Sequence, residues 1–155
     1  MTYLILKYLH VLGAVVILGT GIGIAFFMVM AHRSGDASHI ARTAATVVVA
    51  DLVFTATAVI VQPVSGALLL RETGAPVAQG WVLASLALYG LAGAFWLPVV
   101  WMQARMRDLA KEAATGGRPL PARYHGLYRL WFLFGFPGFG CVIVILWLML
   151  AKPSF

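Results

Sequence analysis

The amino-acid sequence predicts an all-α fold, a transmembrane antiparallel four-helix bundle, on three observations. Of 155 residues, 62% are hydrophobic and 10% charged, against roughly 45–50% and about 25% in a soluble domain. The apolar residues fall into four runs, and each is long enough to cross a bilayer core of roughly 30 Å, which takes about 20 helical residues. The 11 Lys and Arg stand mostly between these runs or near their ends. A mean hydropathy of +0.93 excludes a soluble enzyme, a disordered linker and a secreted disulfide scaffold, because a small soluble domain cannot hide that much apolar surface. Cys141 is the one cysteine, so there is no internal disulfide and no zinc-type Cys/His spacing.

The first span, residues 2–31, holds Lys7 and His10 as its ionisable groups apart from tyrosines. It is too long for the apolar region of a signal peptide. Gly19 and Gly23 make a small-xxx-small pair suited to helix packing; no strand precedes them, so they are not a dinucleotide fingerprint. The second span, 44–70, is interrupted by Asp51 and Gln62. The third runs over 80–103 and the fourth over 127–151, where Gly135, Pro137, Gly138 and Gly140 allow close approach of a neighbour or leave a gap for a flat ligand. Short connections favour sequence neighbours as spatial neighbours. Residues 1–155 are therefore expected to form a single four-span membrane domain.

Charge sets the expected orientation. Loops one and three carry Arg33, Arg42, Arg105, Arg107, Lys111, Arg118 and Arg123, whereas the opposite side has Lys7, Arg71 and Lys152. The positive-inside rule puts those loops in the cytoplasm and both termini outside, in a bacterial inner membrane. The net charge of +6 thus reads as a topology signal, not as nucleic-acid binding.

Ionisable groups inside spans are costly and usually face the bundle interior. His10 lies about eight residues into the first span, with Lys7 and Tyr3 above it on the same face. Neutral imidazole is a common metal ligand and a haem axial base; the competing reading is a hydrogen bond to a neighbouring helix. Asp51, Thr55, Gln62 and Ser65 share one stripe of the second span, with Asp51 toward the cytoplasmic side and Gln62 and Ser65 near the level of His10. They either tie helices together or form a proton or cation site. Trp81, Ser85, Tyr89, Trp96 and Gln103 share a broad face of the third span, an aromatic-walled core. His32 and His125 lie at the cytoplasmic ends of their spans, where a bis-histidine site and a plain polar interface are both open. Since His10 and His32 are about 33 Å apart along one helix, they cannot share a metal. His39 is expected in a loop, and Met149 lies at a depth near His10.

The entry Tyr3-Leu4-Ile5-Leu6-Lys7-Tyr8-Leu9-His10-Val11-Leu12-Gly13, with His32 closing the span, resembles the opening of the HemJ-type protoporphyrinogen IX oxidases. Gly80-Trp81 and Tyr128-Arg129-Leu130-Trp131, leading to Lys152-Pro153, are similar to that family too. The whole chain looks like a family of predicted bacterial integral membrane proteins of unknown function, distantly related to it. The resemblance implies a haem b protein with His10 as iron ligand. Phe26 and Phe27, Ser85 and Trp96 stand where the oxidases carry an arginine, a lysine and a histidine.

The expectation is an integral membrane haem-b or porphyrin-binding protein in electron transfer or haem metabolism. His10 would be the metal ligand, with His32 and His125 as the alternative, and Lys7, Gln62, Tyr89, Trp96 and Lys152 would line the cofactor. Asp51 and Thr55 are the intramembrane polar pair. No catalytic residue is assigned; as an enzyme the chain would be a haem-dependent oxidoreductase. The alternatives are a HemJ-like oxidase, a small-ligand or proton-linked carrier, and a non-catalytic structural subunit. Expected partners are the lipid bilayer, a quinone or other redox partner and a second copy of the chain, with no nucleic acid.

Overall fold

The computed structural model describes residues 1–154. Four long helices account for nearly all of them: α1 (Thr2–Ser34), α2 (Ala37–Thr73), α3 (Gly80–Thr115) and α4 (Ala122–Ala151), each apolar and long enough to cross a membrane. They contain the four predicted runs and extend past them at the end opposite the chain termini. That extension corrects two expectations. Arg105, Arg107 and Lys111 stand on the last turns of α3 and Arg42 on α2, while His39 is helical, not in a loop. The reason is local: Asp36 caps α2, its Oδ1 accepting the Ser38 N–H at 2.8 Å, so the helix starts at once. Gly35 closes α1 in the left-handed conformation, φ 68°, which glycine adopts without steric cost.

Helices adjacent in sequence pack together, and α4 returns to touch α1, so the four helices form an antiparallel bundle. The strongest association joins α3 to α4, and α2 divides its contacts. Its first half packs on both α3 and α1, its second half on α1. The halves meet at a single π-helical segment, Asp51–Thr55.

Packing is uneven along the bundle axis. At the basic end, Ile24, Met28, Ala31, Ile40, Ala44, Val47, Met102, Met106, Ala110, Tyr124 and Trp131 form one buried cluster. Toward the termini the second half of α2 stays packed on α1 and α3 on α4, but α2 draws away from α3 and α4. Gly19, Gly90, Gly135 and Gly140 lie exposed on the outside of the bundle, and a Cβ at any of them, or at Gly23, would meet nothing within 4 Å. The predicted Gly19/Gly23 packing pair is therefore not a helix contact; Gly13 and Gly66 do that work between α1 and α2. Of the α4 glycines, Gly138 makes the close approach, 3.3 Å from its would-be Cβ to Phe95 Cβ.

Candidate functional site

His10 sits on the face of α1 that carries Met28 eighteen residues on, five turns at about 3.6 residues each; Met28 is fully buried. The imidazole therefore faces the interior, packed against α2, and it is partly buried. Its Nδ1 lies 2.9 Å from Ser65 Oγ. The serine hydroxyl already donates to the Val61 carbonyl at 2.6 Å, the usual way a helical serine satisfies itself. The proton between His10 and Ser65 thus belongs to the imidazole: Nδ1–H donates to Ser65, and Nε2 carries a lone pair with no hydrogen-bond partner among the described residues.

Gln62 and Ser65 do reach the level of His10, where both tie α2 to α1. The Gln62 amide donates to the backbone carbonyl of His10 at 2.8 Å, not to its ring, because Gln62 lies over Gly13, where a Cβ would stand 2.8 Å from its Nε2. Gly66 gives the ring its room: a Cβ there would lie 3.2 Å from His10 Cε1. Higher up, Lys7 Nζ stands 5.7 Å from the centre of the Tyr3 ring. Across the bundle Lys152 Nζ lies 5.6 Å from the centre of the Trp81 ring, in a groove lined by Gln79, Gly80, Trp81, Lys152, Pro153 and Ser154.

About 21 Å along α2 from Ser65, by helical rise, the Asp51 carboxyl is 3% exposed. Trp96 Nε1–H donates to Oδ1 at 3.2 Å. The Gln103 amide donates to Oδ2 at 3.1 Å and accepts the Trp131 Nε1–H at 3.2 Å. Trp96 is thus part of the Asp51 site and stands well below His10. Tyr89 joins the two hairpins between these levels, its hydroxyl donating to the Val59 carbonyl. That carbonyl is free because Pro63, four residues on in α2, has no N–H to give it. Ser85 Oγ donates back to Trp81 O at 2.7 Å.

At the basic end, His32 and His125 meet edge to face with ring centres 5.8 Å apart. One face of His32 is covered by Tyr128, stacked at 3.5 Å, and its Nδ1 lies 3.3 Å from the Tyr124 hydroxyl. This is an aromatic cluster joining α1 to α4. Among the described residues no group of three or more His, Cys, Asp or Glu is placed to hold a metal ion.

Sequence reading missed three features: the π-helical turn, the Gln103–Trp131 relay and the Tyr89–Val59 bridge. Only the last left a signal, since a proline inside a span always releases the carbonyl four residues before it. Neither a curated protein nor a solved structure matches the chain. Residues 4–153 match a family described as predicted integral membrane protein (DUF2269), and with nearly its whole length matched the chain belongs to that family.

Proposed function

We propose that this integral membrane protein binds haem b through His10 and serves electron transfer or haem metabolism. One observation carries the reading: His10 Nδ1 lies 2.9 Å from Ser65 Oγ, whose own proton goes to the Val61 carbonyl, an arrangement that favours the Nδ1–H tautomer and leaves Nε2 as a lone-pair donor on the interior face of α1. Iron-ligating histidines are held this way, with the second nitrogen hydrogen-bonded so that ring angle and tautomer are set. At this level the second half of α2 is tied to α3 by the Tyr89 hydroxyl and makes little other contact with α3 or α4, and that is where a flat macrocycle would lie. Bound there, a b-type haem supplies one-electron chemistry at iron. Gln62 braces α1 behind the ligand. Lys7, Arg71 and Lys152, at the same end of the chain's helices, are the cations suited to propionates.

The oxidase alternative has less support. Phe26 and Phe27 are each 59% exposed on the outer surface of the bundle, Ser85 is bonded to its own helix and Trp96 is spent on Asp51. None of these offers the charge or the base that the oxidases carry there.

The test is the spectrum of the full chain purified from haem-supplied cells. A Soret band is expected, lost in His10→Ala, shifted in Ser65→Ala and unchanged in His39→Ala. An unaltered band in His10→Ala transfers the ligand role to His32 and His125.

A further inference from the structure

The Asp51 site is independent of His10. Between Arg42 and Arg71 on α2, Asp51 is the sole charge-bearing residue. The elements packed against it bring no counter-charge: α1 has no titratable residue between His10 and His32, α3 has only Tyr89 between Gly80 and Gln103, and α4 has only Cys141 between Arg129 and Lys152. The neighbours that do touch the carboxyl, Trp96 and Gln103, are neutral donors, and the ion pair found among the described residues, Arg107–Asp108, lies elsewhere. A buried charge without a partner is strongly disfavoured.

A second observation points into the same place. The Thr55 hydroxyl, one turn on from Asp51, lies beside the carboxyl. Its oxygen is fully shielded and, beyond that loose contact with the carboxyl, has no hydrogen-bond partner among the described residues; Thr55 as a whole is 6% exposed. Buried hydroxyls are rarely left so, and an exception calls for an explanation. Both residues belong to the π-helical segment, a device frequent at functional sites.

We propose that Asp51 and Thr55 together bind one monovalent cation, a proton or an alkali-metal ion, inside the membrane. Such a ligand neutralises the carboxylate and occupies the Thr55 oxygen at once, while Trp96 and Gln103 hold the carboxyl in place from its other side. A proton comes from water and leaves to water with no other bond changed; a sodium ion exchanges its hydration shell for the same oxygens.

The full chain, purified in detergent, is titrated with radioactive sodium against choline, and infrared difference spectra are recorded between acid and alkaline buffers. Saturable sodium binding that is lost in Asp51→Asn and about tenfold weaker in Thr55→Val, the loss of one contact to a charge, supports the alkali-ion form. No sodium binding, with a carboxylic C=O band that vanishes in Asp51→Asn and moves in Thr55→Val, supports the proton form. Thr55→Val keeps the side-chain volume, so its readout stands even if Asp51→Asn fails to fold, and Ser85→Ala should change neither signal. Carboxylate bands alone at every pH without sodium binding, or signals that Thr55→Val leaves in place, overturn the proposal.

Discussion

The two ends of this bundle are built on different principles. At the basic end Met28, Ile40, Ala44, Met106, Ala110 and Tyr124 are completely shielded, and the helices are held by close contact over a broad area. Toward the termini α2 draws away from α3 and α4, and polar ties supplement the packing: His10 to Ser65 and Gln62 to the His10 carbonyl between α1 and α2, and Tyr89 to the Val59 carbonyl between α3 and α2. Lipid tails are as apolar as leucine, so helices in a bilayer gain little from apolar burial as such and associate through shape and hydrogen bonds. Close packing joins all four helices at the first end; at the second the Tyr89 hydroxyl ties α3 to α2.

The sharpest test of this contrast is all-or-none. If the packed end faces the cytoplasm, as its basic residues argue, then with Cys141→Ala, Thr115→Cys is inert to a membrane-impermeant thiol reagent applied to intact cells, whereas Ser154→Cys is labelled. The reverse pattern inverts the topology. Next in size, Tyr124→Ala should cost about 3–5 kcal/mol, as for large-to-small changes in a packed core, measured by unfolding in mixed micelles. An equal loss from Phe139→Ala would erase the contrast. Smaller again is Gly66→Val, expected to cost about 1–3 kcal/mol by pushing the His10 ring aside, while Gly19→Val, with nothing within 4 Å, should fall within about 0.5 kcal/mol of wild type. The smallest effect is that of Tyr89→Phe, about 0.6 kcal/mol, typical of interhelical bonds in membranes, read in the same unfolding assay.

The fold was legible because hydropathy and chain length leave a membrane-spanning chain few choices: four apolar runs with short connections make four antiparallel helices. That Asp51, Thr55, Gln62 and Ser65 turn inward was legible for the same reason, since polar groups avoid lipid; that they share one stripe was not borne out, because the π-helical segment swings Gln62 and Ser65 toward α1 while Asp51 meets α3. Which polar atom meets which was not legible. The Ser65 hydroxyl, not the Gln62 amide, bonds the His10 ring, a choice that depends on Gly13 and Gly66 letting the helices approach to a particular distance, and that distance is a property of two surfaces together. Gly19 and Gly23 mislead for a related reason: small residues permit contact, but the neighbour has to be there.

The wide turn at Asp51–Thr55 has a consequence for how the chain tolerates insertions and deletions. A π segment accommodates one residue more than an α-helix of the same rise, so everything after it is turned by about 100°, one helical step. That offset lets the first half of α2 serve α3 while Gln62, Ser65 and Gly66 are all aimed at α1. Leu52, Val53 and Phe54, more than half exposed on the outer surface, can be exchanged for other apolar residues, but removing one of them would carry all three away from His10. At these positions residue count matters more than residue identity.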